Sequence, residues 1–375
     1  MATSGTKTIN LALQGGGSHG AFTWGVLDRL LEVEDLVIEG ISGTSAGAMN
    51  AAVLAQGYTK NGRTGAREAL DRFWQRTAEF SLFSPIRRSV FDQMLGQWNI
   101  DRSVGTWWAD LLQHLASPYQ SNPFGFDPLK TVLSDLIIEK DIQSCESIKL
   151  FIAATNVETG RARVFLRHEI TTDVLLASAC LPFTFQAVEI EGVPYWDGGY
   201  MGNPVIWPLI YRCESPDVAV VQINPLERKG TPTTPIGIIN RVNEISFNAS
   251  LIAEMRAIAF VQRLIDEGGL ETPEAKRLKR MNMHMIGCEE KLRELGAASK
   301  MNAELGFLLY LKDLGRTTAD AWLQEHWDAI GQRSSLDIRK VFLGARVQPQ
   351  VQLQSQAQAQ TQAQPPTIEP LPSKG

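Results

Sequence analysis

The amino-acid sequence predicts an α/β fold of three layers, α/β/α, built on a mostly parallel central sheet and followed by a helical C-terminal extension. Three observations predict it. Over the first fifty residues, short apolar runs alternate with helix-patterned segments, the order that builds a parallel sheet covered on both faces. Glycine-rich turns join each of these apolar runs to the helix that follows it. From about Ile236 the apolar spacing changes to three and four residues, the period of a helix.

The elements follow in order. "TINLALQ" (8–14) is a buried strand, rich in Ile and Leu and too short for a helix. From Ser18, a plausible N-cap, Phe22, Val26, Leu27, Leu30 and Leu31 recur at helical spacing. "LVIEGIS" (36–42) is a second strand, and "AGAMNAAVLAQG" (46–57) a small-residue helix closed by Gly57. Residues 60–145 break the rhythm: rich in aromatics and turn formers, they read as a helical cap or insertion laid over the sheet. Strand signals resume in "IKLFIAATNVETGRARVF" (148–165), where "NVETGR" suggests a hairpin, in "VEIEGVPYWDGG" (188–199) and in "VAVVQIN" (218–224). Helical patterning then runs through Ile239, Val242, Ile245, Ile252, Met255 and Ala259, and again from about Glu289 to Ile330, so that 236–345 reads as the extension. Residues 346–375 form a Gln/Ala/Pro tract without periodicity. Such a tract buries too little to offset the entropy of ordering and reads as a disordered tail.

Composition narrows the function classes. The chain has 375 residues, enough for a sizeable core. Its formal net charge of −5 offers no general attraction to nucleic acid or anionic lipid, so a nucleic-acid partner is not expected. Four scattered cysteines, Cys145, Cys180, Cys213 and Cys288, show neither C-x-x-C spacing nor a nearby histidine. They read as reduced and inert, with no metal site, in a cytoplasmic setting. The N-terminus carries no basic segment followed by an apolar core. No run of about 18 apolar residues marks a membrane span. Oligomeric state is not legible.

Two motifs compete for the chemistry. Gly15, Gly17 and Gly20 fit G-x-G-x-x-G between a strand and a helix, and Glu39 follows nineteen residues after Gly20. This is the layout of a nucleotide-dependent oxidoreductase, with the acid on a ribose. Gly43-Thr44-Ser45-Ala46-Gly47, however, is a G-x-S-x-G pentapeptide, again between strand and helix. A serine nucleophile needs that sharp turn to expose its Oγ at the carboxyl end of the sheet, and Gly43 and Gly47 let backbone pack around it. Neighbouring parallel strands end on one edge, so the amides of Gly15, Gly16 and Gly17 can face Ser45 and point at the oxyanion of a tetrahedral intermediate.

The serine needs a base. None of the five histidines, His19, His114, His168, His284 and His326, has the strand-end, glycine-flanked context of one. Asp197, before Gly198 and Gly199, does. An aspartate at about pKa 3.9 is a weak base, so the mechanism needs a desolvated site that raises it.

In their order and spacing, G15-G-G-S-H-G20, G43-T-S-A-G47 and D197-G-G199 resemble the patatin-like phospholipase family over about residues 8–225, and "ASACLPFTFQAVEIEGVPYWDGG" resembles the segment leading into that family's aspartate. The resemblance implies a patatin-like fold and a lipid or phospholipid acyl hydrolase without a cofactor. Ser45 would be the nucleophile, Asp197 the base and Gly15–Gly17 the oxyanion hole. His19 stands where the family usually carries Arg or Lys, and the resemblance implies a substrate-orienting role for it. Phe80, Phe83, Phe91, Trp98, Trp107, Trp108, Phe124 and Phe126 form either a lid in peripheral contact with a membrane or buried core. The alternatives are the oxidoreductase and a non-catalytic lipid-binding module. The second is disfavoured by the intact nucleophile, base and glycines.

Overall fold

The computed structural model of the chain describes residues 5–81, 117–123, 125–267 and 278–344. The tail 346–375, His114 and, of the aromatic segment, Phe83, Phe91, Trp98, Trp107, Trp108 and Phe124 lie outside the described residues.

In chain order the main elements are β1 (Lys7–Leu13), α1 (Gly20–Leu30), β2 (Leu36–Gly43), α2 (Ala46–Ser81), α3 (Pro128–Leu136), β3 (Lys149–Asn156), β4 (Ala162–Leu166), α4 (Thr172–Ser178), β5 (Val188–Ile190), β6 (Val193–Asp197), β7 (Asp217–Gln222), α5 (Pro235–Asp266), β8 (Asn282–Gly287) and α6 (Leu305–His326). The strands form one sheet in the order β5-β6-β3-β2-β1-β7-β8, with β4 also paired to β3. From β3 to β8 all neighbours are parallel; β4, β5 and β6 add an antiparallel margin.

The apolar strands lie between two cores, as the period-2 geometry of a strand requires. In β7, Val218 and Val220 enter one core with Leu251, Met255 and Ile258 of α5. Ala219 and Val221 enter the other, with Trp24, Leu54 and Leu308 of α1, α2 and α6. The three layers follow from that alternation. The outer layer on the second face is locked by backbone contact. A side chain at Gly25 would strike the Lys312 carbonyl, and one at Gly315 the Phe22 carbonyl, so α1 and α6 lie against each other. Arg316 and Arg67 both pair with Asp28 beside this contact.

Several local expectations change. The first helix begins at Gly20, after a 3-10 turn at Gly17–His19, and Ser18 makes no cap. Gly57 does not end the second helix, which continues to Ser81 and breaks instead at Asn61–Gly62, where Gly62 has φ +53°. The 188–199 segment is a hairpin turning at Glu191 and Gly192, both at positive φ, a two-residue turn whose twist suits the strands. The stretch 236–345 is not all helix, because β8 lies inside it and pairs with β7. "NMHMIG" is too short to announce its state, and an open sheet edge decided it. The apolar stripe of α5 is buried only in its second half; Val242 and Ile245 are more than half exposed.

Candidate active site

Strand register brings three chain segments to one edge of the sheet. Leu13 of β1 pairs with Gly43 of β2, so the turns that follow both strands emerge side by side. Gly43 pairs in turn with Ile152 of β3. Two residues further along β3, Ala154 pairs with Asp197 at the end of β6. Ser45, two residues past Gly43, therefore stands at the level of Asp197 although they are 152 positions apart in the chain.

The elbow at Ser45 is strained by design of its backbone. Ser45 has φ +53°, a left-handed conformation costly for a residue with a Cβ. It holds because the turn is over-determined. A Cβ at Gly43 would lie 2.6 Å from the Gly47 carbonyl oxygen, and one at Gly47 would strike the Leu13 carbonyl. Gly47 N–H donates to the Thr44 carbonyl at 2.8 Å, and the Thr44 hydroxyl donates to the Gly202 carbonyl at 2.7 Å. Ser45 N–H donates to the Ser178 hydroxyl at 3.0 Å, which itself donates to the Ala153 carbonyl at 2.7 Å. Ser178 escaped the sequence reading because no local pattern marks a helix-end hydroxyl that holds the Ser45 amide 133 residues away.

Asp197 is 3% exposed. Its carboxylate accepts the Gly199 N–H at 2.7 Å. Burial pushes its pKa up to about 6, opposed by the Gly199 amide and by a hydrogen bond from the Ser45 side chain. The carboxylate is thus a far stronger base than a solvated aspartate, and it meets the serine directly.

The glycine loop is held by Gln14, a fully buried side chain at the end of β1. Its Oε1 accepts the N–H groups of Ile223 and Asn224, both at 2.9 Å, and its Nε2 donates to the Asn203 carbonyl at 3.2 Å. The three glycines do not offer three equivalent donors. Gly15, expected in the oxyanion hole, donates its N–H to Asn203 Oδ1 at 2.6 Å, so that amide is engaged within the loop. The Gly16 and Gly17 amides have no acceptor among the described residues. Gly17 has φ +58°, and a side chain there would strike the Lys300 carbonyl. Gly15 packs onto the elbow, where a Cβ would lie 2.6 Å from that of Ser45.

His19 is corrected as well. It is 2% exposed and lies outside the cavity wall, with Nε2 2.7 Å from the Ser299 hydroxyl. Burial, with Lys300 and Arg228 nearby, drives its pKa to about 3 and keeps the ring neutral. It ties the loop to the 3-10 turn Ala297–Met301. Lys300, on that turn, reaches the cavity instead. Sequence reading missed it, since nothing local links residue 300 to residue 17.

The remaining candidates lie elsewhere. His284 sits on β8, fully buried between Asp217 and the Ser335 hydroxyl at 2.9 and 2.8 Å. His168 lies in the turn after β4, and His326 ends α6. The Glu39 carboxylate is occupied by Lys149 and by the Glu214 and Ser215 amides, which leaves nothing for a ribose. No cluster of three or more His, Cys, Asp or Glu side chains placed for a metal occurs among the described residues. No helix among them is long and apolar enough to cross a membrane.

Ser45, Asp197 and Gly15–Gly17 line one cavity of about 280 Å³, whose remaining wall is largely apolar, with Met49, Phe73, Trp74, Leu129 and Phe247. The cavity lies outside the carboxyl ends of the parallel strands, where α/β sheets place their sites. The model of the family described as patatin-like phospholipase matches residues 11–210. No curated protein matches the chain. Among solved structures, VipD from Legionella pneumophila is similar at 16% identity and a TM-score of 0.32, over 81% of this chain and 66% of that one. The matched span holds the glycine loop, the elbow and the aspartate in that order, and on that match the chain belongs to the patatin-like phospholipase family.

Proposed function

We propose that the chain is a serine lipid acyl hydrolase working through a Ser45–Asp197 dyad. The observation that carries it is the strained serine meeting a buried, basic aspartate in an apolar cavity beside two unused amides. Ser45 Oγ attacks the ester carbonyl while Asp197 takes its proton. The Gly16 and Gly17 amides hold the resulting oxyanion, each such donor contributing about 2.7–4 kcal/mol in comparable sites. The tetrahedral intermediate collapses, Asp197 returns the proton to the leaving alkoxide, and the acyl group stays on Ser45. Water, deprotonated by Asp197, then releases the fatty acid and restores the dyad. No cofactor takes part.

The apolar wall fits an acyl chain. Leu181 and Met301 line the cavity while 39% and 48% exposed, an apolar rim suited to peripheral contact with a lipid surface. A fluorophosphonate probe is expected to label Ser45, with label and hydrolysis of short acyl esters both lost in Ser45→Ala. Wild-type esterase rate in Ser45→Ala would refute the dyad.

A further inference from the structure

Among the described residues that line the cavity, Lys300 is the one with a cationic side chain, and it comes from beyond the family-matched span. The 3-10 turn Ala297–Met301 is docked on the glycine loop: the Lys300 carbonyl packs against Gly17, and Ser299 holds His19. From there Lys300 Nζ donates to Asn224 Oδ1 at 2.7 Å, and Asn224 Nδ2 donates to the Gly15 carbonyl at 2.7 Å. The ammonium is thus one side chain away from the loop that carries the free amides.

Its charge is poorly compensated. Among the described residues its hydrogen-bond acceptor is that neutral amide oxygen. The carboxylate acting on it is Glu244 of α5, already engaged by both Arg228 and Arg241. Arg228 repels it, His19 beside it is neutral, and Asp197 lies in the same cavity, committed to Ser45 and Gly199. Desolvation, with Arg228 nearby, lowers the Lys300 pKa to about 8, so the side chain is still mostly an ammonium at pH 7. An apolar cavity with one under-paired cation near the reacting centre fits an acyl chain joined to an anionic group.

We propose that Lys300 is the specificity-determining residue of this site, receiving a phosphodiester close to the scissile ester. This rests on the acyl-hydrolase reading above. It assigns substrate discrimination to the C-terminal region, whereas Ser45, Asp197 and the glycine amides serve any ester.

The test uses the full chain and two esters with the same acyl group, lysophosphatidylglycerol and monoacylglycerol. The ratio of their kcat/KM values reads discrimination independently of how much enzyme is folded. Lys300→Gln is expected to lower that ratio roughly 10- to 100-fold, the worth of a charge-assisted hydrogen bond, mainly through KM for the phospholipid. Lys300→Arg is expected to restore most of it. In the wild type the ratio should fall above about pH 8 as Lys300 loses its proton, and in Lys300→Arg that fall should vanish. An unchanged ratio in Lys300→Gln, or a wild-type ratio flat through pH 9, would overturn the proposal and leave the dyad standing. A wild type that hydrolyses neither ester would overturn both.

Discussion

Replacing Asp197 by Asn should make the protein more stable and nearly inactive, with a stability gain that depends on pH. Burial moves the Asp197 pKa from 3.8 to about 6. A group held above its solvated pKa favours the fold while protonated, and that contribution is lost as pH rises from about 4 through about 6. Two units at about 1.36 kcal/mol each put the cost of the ionised form near 3 kcal/mol at pH 8. Asn removes the charge but keeps an oxygen for the Gly199 N–H, 2.7 Å away. That bond becomes neutral, as it already is in the wild type with Asp197 protonated. Because the raised pKa already includes the hydrogen bonds that favour the ionised form, the net gain is about 3 kcal/mol at pH 8 and close to zero at pH 4. The measurement is the difference in Tm between Asp197→Asn and wild type across pH 4–8, in which every other titrating group cancels. The difference should grow with pH to a few degrees. In parallel, wild-type kcat/KM should rise with pH through about 6, and Asp197→Asn should lose roughly 10²- to 10⁴-fold in rate. A pH-independent Tm difference, or a variant less stable than wild type at pH 8, would refute the claim that a desolvated carboxylate is the base.

The other expectations concern the frame around the dyad. Gly47→Ala should cost more than about 2 kcal/mol and abolish labelling at Ser45, because its Cβ meets the Leu13 carbonyl. Gly5→Ala, with nothing within 4 Å, should stay within about 0.5 kcal/mol by the same melt. Asn203→Ala strands the buried Gly15 N–H and should cost about 1–3 kcal/mol in denaturant unfolding, with a fall in kcat as the loop loses its shape. His284→Gln breaks the buried Asp217–His284–Ser335 chain and should lower Tm while a fluorophosphonate still labels Ser45; lost labelling in a folded variant would reopen a histidine mechanism.

Legibility in the sequence tracked how local each feature is. The G-x-S-x-G turn, the strand before it and the helix after it were readable because a bend, its flanking small residues and its apolar strand lie within about ten positions. Asp197 was readable for the same reason, as a strand-end acid before two glycines. Strand β8 was not, since six residues with only Met283, Met285 and Ile286 apolar suit helix or strand equally and only the free edge of β7 selects one. The apolar stripe of α5 told helix correctly but not which half would be covered, because periodicity records a face and not its partner.

The sequence by itself determined the layered α/β frame and the identities of serine, aspartate and glycines at its edge, through backbone chemistry that needs no distant partner. Tertiary structure alone decided what each group is free to do. Gly15 lost its amide to Asn203, 188 positions away, and His19 was tied off by Ser299, 280 positions away. Burial raised the Asp197 pKa to about 6 by taking its water away, and Lys300 lines the cavity because its turn docks on Gly17. Hydrogen-bond donors and ionisable groups take their chemistry from whatever folding places within about 3 Å of them, and no window of sequence contains that neighbour.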